Sequence, residues 1–332
     1  MRRYVLFFTA LILLVALALG CSSREGANQE EQRVSIVCTI FPLYDWTRQI
    51  IGEEGADRIN LTFLINSGID LHSFNPSVPD MARIKSSDAF VFIGGHSDNW
   101  VEDVLRGSNP DMHTLSILEV LIEELGEHDL LEGFCDVDCD EDHDHDFDEG
   151  HEEHHADEHV WLSLRRARTI CLAISDMLSE LDPENAQAYK DNANAYIAKL
   201  SDLDANYQAA VDAANVSTLV FADRFPFRYM IDDYGLSYYA AFQGCSAESE
   251  ASFVTIISLA NRLNQLGLST VLVTESSDQS IARTVIDSTD AKNQRILVLN
   301  AAHSVTVSEA GTGVTYLSIM ESNLEVLKEA LQ

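Results

Sequence analysis

The run VSIVCTI (34–40), followed by YDWTRQIIGE (44–53), RINLTFLI (58–65), PDMARIKS (79–86) and AFVFIGG (89–95), decides the fold. Short segments rich in Val, Ile and Phe alternate with segments of helical pattern, the signature of βαβαβ units and therefore of a parallel sheet. The same rhythm returns after residue 217 as STLVFA (217–222), FRYMIDDYG (227–235) and LSYYAAF (236–242). A helix near Phe253 to Leu266, the run STVLVTE (269–275), a helix near Ile281 to Ser288 and the run RILVLN (295–300) complete it. Two α/β lobes are expected, each a Rossmann-like βα unit with a parallel sheet.

Between the two patterns, residues 161–214 read as a helical block. Pro183 follows Asp182 at a plausible first helical position, and an Ala-rich run extends from Glu184 to about Ala214. Tyr189, Ala193, Tyr196, Leu200, Leu203, Tyr207 and Val211 recur at intervals of three and four, which marks one buried stripe on a polar helix. Thirty helical residues span about 45 Å. Such a helix joining the lobes acts as a stiff spine, so a ligand in the cleft between lobes is gripped with modest motion. The expected division is a first lobe over 34–160, the helical block over 161–214 and a second lobe over 215–332.

The first 33 residues stand outside that division. Arg2 and Arg3 precede an apolar run from Tyr4 to Leu19, then Gly20 and Cys21, which reads as a secretory signal over 1–20 ending at a lipidation cysteine. The run is shorter than the roughly twenty residues of a membrane-spanning helix. Residues 21–33 are polar and aperiodic, a tether from membrane to domain. The formal charge of −33 argues against nucleic acid, since phosphates would be repelled and no basic patch overrides the field. Of the six cysteines, Cys38, Cys171 and Cys245 read as small core residues, whereas Cys135 and Cys139 are either soft ligands or a local disulfide.

Seven of the eleven histidines lie between Glu127 and His159, in a stretch with sixteen Asp and Glu and no Lys or Arg. Carboxylates and imidazoles at that density make many weak, overlapping divalent-metal sites, with His143, His145, His151, His154 and His155 as the nitrogen donors of an acidic loop over 127–158. Outside it remain His72, His96, His113 and His303, with His159 at the loop's exit. His72 follows the strand RINLTFLI, at the carboxyl end where open α/β sheets place ligands. His96 follows another strand, and solvation is its simpler reading. His113, in the polar turn PDMHT, reads as structural.

The segment GIDLHSFNPSVPDMARIKSSDAFVFIGG (68–95) resembles the first-ligand segment of zinc and manganese solute-binding lipoproteins of ABC importers. The similarity continues through DEHVWLSLRRARTICLAISDML (157–178) after the acidic insertion, LVFADRFPFRYMIDDYGL (219–236), VTESSDQSIARTVID (273–287) and LNAAHSVTVSEAGTGVTYLSIMESNLEVL (299–327). The resemblance implies a metal ion in the cleft, held by His72 and His159 from the first lobe and by two ligands from the second. Where the family has His or Glu in its third segment, this chain has Arg224, which cannot bind a cation. Asp223 would then supply the oxygen, or Arg224 would pair with Glu275 or Asp223 as a supporting residue. The family's last acidic ligand falls at or near His303. A site of His72, His159, His303 and one carboxylate or water suits tetrahedral zinc, and manganese would call for more oxygen. Glu275, at the end of STVLVTE, is a further candidate as ligand or as counterion of Arg224.

The expected protein is therefore a monomeric, membrane-anchored receptor on the extracytoplasmic face that hands zinc to an ABC permease, with manganese as the alternative cargo. It is not expected to be an enzyme: there is no HExxH helix, the run HEEHH (151–155) belonging to the acidic loop, and no GxSxG elbow. A secreted zinc hydrolase, or a passive metal buffer or adhesin, are the competing readings.

Overall fold

The computed structural model describes residues 33–69, 71–125, 157–242 and 251–332. In the first lobe β1 (Val34–Cys38), α1 (Phe41–Gly55), β2 (Ile59–Phe63), α2 (Val78–Lys85), β3 (Ala89–Phe92), α3 (Val101–Leu105), β4 (His113–Ser116) and α4 (Ile117–Leu125) follow one another. Two long helices come next, α5 (Leu164–Leu181) and α6 (Ala186–Asp212). The second lobe runs β5 (Thr218–Phe221), α7 (Arg228–Asp233), β6 (Ser237–Ala240), α8 (Phe253–Leu266), β7 (Thr270–Thr274), α9 (Ser280–Asp287), β8 (Arg295–Leu299), α10 (Val307–Gly311) and α11 (Tyr316–Ala330). None of the described helices is long and apolar enough to cross a membrane.

Both sheets are parallel, and they repeat one topology: β2-β1-β3-β4 in the first lobe and β6-β5-β7-β8 in the second. The central strands AFVF and TVLVT are buried at every position, as parallel strands covered on both faces must be. In each sheet the strand order reverses at one point, between β1 and β3 and between β5 and β7. The crevice outside the carboxyl ends at such a reversal is where α/β sheets bind ligands.

The sequence pattern missed β4. HTLS lacks the β-branched density of the other strands, but its backbone pairs with β3 from His113↔Ala89 to Ser116↔Phe92. His113 thus begins an edge strand and does not sit in a turn. The helical block is also two helices. Pro183 starts a short 3-10 turn, Pro183–Asn185, and α6 begins three residues later. The expected stripe is buried on α6 from Tyr189 to Tyr207, while Val211 is only partly covered.

One apolar core runs through both lobes. It joins Ile36, Trp46 and Val91 of the first lobe to α5 and α6, and on to Phe221, Leu299, Tyr316 and Leu327 of the second. Separate clusters cover the outer faces, Phe90 with Val101 and Val104 in the first lobe, Val271 with Leu263 and Val285 in the second. Polar contacts cross between lobes. The Tyr316 amide donates to Asp45 Oδ2 at 2.8 Å, and Ser67 and Thr306 form an antiparallel bridge. Cys38 and Cys171 are buried thiols in this core, and burial pushes the Cys38 thiol up to about 12 despite its contact with Thr47.

Candidate metal centre

His72 lies in the short turn Leu71–Ser73 after β2 and is exposed. Its ring stands 5.4 Å from that of His159, which is buried. The two histidines are far apart in sequence and meet because the chain returns to the first sheet after the acidic segment. Asp157 and Glu158, counted from sequence as the end of that segment, are buried as well.

Each histidine has one ring nitrogen engaged by an oxygen. His159 Nδ1 is 2.8 Å from Asp157 Oδ1, which also accepts the His159 amide at 2.8 Å. Burial would raise the Asp157 carboxyl, but the charge of His159, its two hydrogen bonds and the charge of Arg228 hold it below the ordinary range. Tyr229 fixes the same segment by donating to the Asp157 carbonyl at 3.0 Å. His72 Nδ1 lies 2.6 Å from Ser97 Oγ. This is the arrangement that orients metal-binding imidazoles, since a partner on one nitrogen sets the tautomer and leaves the other nitrogen for the ion.

The second lobe approaches through Trp161. Its ring centroid is 5.0 Å from His159 and 6.4 Å from His303, and its indole N–H donates to the Ala301 carbonyl at 2.8 Å. His303 is buried just beyond β8, next to Ala302, whose φ of 61° turns the chain sharply. At the reversal point of the second sheet, Asp223 accepts the Arg224 amide on Oδ1 and both the amide and hydroxyl of Thr274 on Oδ2, at 2.8, 3.0 and 2.7 Å. Asp223 thereby clamps β5 to β7. Glu275 accepts the Ala301 amide on Oε2 at 2.9 Å, while its Oε1 is buried and makes no hydrogen bond among the described residues. Burial, with a contribution from the charge of Asp223, raises the Glu275 carboxyl above its ordinary value even though the Ala301 amide works against it.

His96 is exposed, with Nδ1 at 3.1 Å from Asn99 Nδ2, and Arg224 is half-buried. Among the described residues no three His, Cys, Asp or Glu side chains close around a single point. The structure therefore brings His72 and His159 side by side, their ring planes tilted by 55°, and sets Trp161 between His159 and His303. His143, His145, His151, His154, His155, Cys21, Cys135, Cys139 and Cys245 lie outside the described residues. Sequence reading missed Ser97, Glu158 and Trp161 as parts of the site. The one available signal was that Asp157 and Glu158 immediately precede a ligand candidate.

A family model described as zinc-uptake complex component A, periplasmic, matches residues 36–330. The zinc-binding protein AdcA of Streptococcus pyogenes serotype M6 is 31% identical over 300 residues, covering 90% of this chain and 56% of that protein. The chain thus spans little more than half the length of those streptococcal relatives. The high-affinity zinc uptake system protein ZnuA of Bacillus subtilis is 29% identical over 327 residues, 98% of this chain and 97% of that one. The crystal structure of the Zn(II)-bound ZnuA-like domain of Streptococcus pneumoniae AdcA superposes with a TM-score of 0.68 at 28% identity, covering 90% of this chain and 99% of that one. The metal-dependent lipoprotein YcdH from Bacillus subtilis matches in fold, with a TM-score of 0.71 at 24% identity over 90% of this chain and 99% of that one.

Proposed function

Because the chain belongs to the zinc-uptake complex component A family, we propose that it is an extracytoplasmic receptor that captures zinc and delivers it to an ABC import permease. The observation that carries the reading is the adjacent pair His72 and His159, 5.4 Å between rings, each with Nδ1 engaged by an oxygen. Neutral imidazoles held in that way are ligands for zinc at about 2.0–2.1 Å. His303, buried just beyond β8, supplies the second lobe's nitrogen.

A carboxylate completes the set. Asp223 has both oxygens hydrogen-bonded, Oδ1 to the Arg224 amide and Oδ2 to Thr274, whereas Glu275 Oε1 is buried with no hydrogen bond among the described residues, which supports Glu275 as the oxygen donor and Asp223 as its neighbour in the frame. Arg224 and His96 stand beside the site. The acidic stretch with His143, His145, His151, His154 and His155 gathers ions at low affinity, and Cys21 carries the lipid that holds a monomeric receptor at the membrane. No catalytic step enters this reading.

Competitive zinc and manganese calorimetry tests it, comparing the intact protein with the His72→Ala, His159→Ala double variant. One tight zinc site lost in the variant, above a background of weak sites, is the expected result. Tight manganese binding would reassign the cargo, and weak binding insensitive to the variant would leave a buffer or adhesin.

A further inference from the structure

His72 is exposed and sits on a three-residue turn, so packing alone does not fix its ring. A chain of contacts that begins next to the other histidine holds it. Glu158 Oε1 accepts the Ser97 amide at 2.8 Å, and Ser97 Oγ meets His72 Nδ1 at 2.6 Å. The loop bearing Ser97 is itself closed. Asp98 Oδ2 accepts the amides of Ile93 and Gly94 at 2.7 and 3.1 Å, tying the turn back to the end of β3.

Two features mark Glu158 as more than an incidental contact. Its Oε2 is buried without a hydrogen bond among the described residues, a placement that costs about 1–3 kcal/mol. It also lies so close to the backbone that a Cβ on Gly95 would stand 2.5 Å from its Cγ. A buried, half-satisfied carboxylate held by a glycine gap is retained at a loss of stability.

We infer that Glu158 and Ser97 are positioning residues for His72: Glu158 holds the Ser97 backbone, and Ser97 Oγ accepts the His72 Nδ1 proton, so that Nε2 faces the cargo ion. This inference rests on the receptor reading above and deepens it. The tripeptide Asp157-Glu158-His159 then sets both first-lobe ligands, Asp157 orienting His159 directly and Glu158 orienting His72 across a separation of 61 residues between Ser97 and Glu158.

The test begins with the metal-free full chain, labelled with 15N at histidine and assigned by loss of the His72→Ala signal. Two-bond couplings at pH 8 report which nitrogen of His72 is protonated. The expected result is a proton on Nδ1 in the natural protein and in Glu158→Gln, whose amide oxygen still accepts the Ser97 N–H. The proton moves to Nε2 in Ser97→Ala, and the two forms mix in Glu158→Ala. Co2+ affinity, read from its visible absorption, falls about 10- to 100-fold in both alanine variants and stays within about threefold in Glu158→Gln. An Nε2–H tautomer in the natural protein overturns the inference without any variant having to fold, and so does a Co2+ affinity unmoved by Ser97→Ala. If His72→Ala itself leaves Co2+ affinity intact, it is the assignment of the site to His72 that falls.

Discussion

A methyl group added at Gly95 would stand 2.5 Å from Glu158 Cγ and 2.6 Å from its Cδ, closer than real Cβ contacts come. Gly95→Ala should therefore lower stability by about 1–3 kcal/mol, the usual result of overpacking, and a reduced thermal midpoint checks it. At Asp157 the effect should be the reverse in kind. Asp157→Asn removes the charge that faces His159 but keeps an acceptor of the same shape, so zinc affinity should drop about tenfold, measured by competition with a chromogenic chelator, while the fold persists. These residues also show where sequence reading stops. His72, His159 and His303 stood out because histidines are scarce beyond the acidic stretch. Ser97 and Glu158 did not, because a serine in a turn and one more acid beside an acidic run carry no pattern, and their meaning lies in a contact across 61 positions.

At the scale of elements, strands with dense Val, Ile and Phe and the stripe of α6 were legible because burial on both faces, or on one helical face, dictates composition. β4 was not, being an edge strand whose pairing is made by backbone alone. The α5–α6 connection hinged on one acid. Asp182 caps the corner, accepting Arg58 from α1's exit at 3.0 Å, Asn185 at 2.7 Å and the Tyr189 hydroxyl at 2.7 Å. Burial raises its carboxyl, but these three hydrogen bonds and the Arg58 charge together hold it below the ordinary value. A depressed folded value means stability that is present above the unfolded value near 3.9 and lost as pH falls through the folded one. Asp182→Asn should thus unfold at lower urea than the natural protein at pH 7, and the two midpoints should begin to converge only as pH falls below about 4.

For the whole molecule, the two sheets of identical order were legible from the repeated βα rhythm, whereas the continuity of the core was not, since periodicity shows that a face is buried but not against what. The acidic stretch holds sixteen carboxylates and no Lys or Arg, nearly half of the net charge of −33, and should add capacity without setting the tight site. Deleting residues 127–156 should lower zinc stoichiometry in calorimetry and leave the tightest affinity and the thermal midpoint unchanged. Loss of the tightest affinity with the stretch would move the site away from His72 and His159. The shared core has a consequence for how the chain is made. Tyr316, Met320, Leu324 and Leu327, on the last helix, pack in the same cluster as Ile36 and Trp46 near the start. A polypeptide that emerges N-terminus first therefore cannot close the core around Ile36 and Trp46 until α11 has appeared, so the first lobe waits for residues some 280 positions further on.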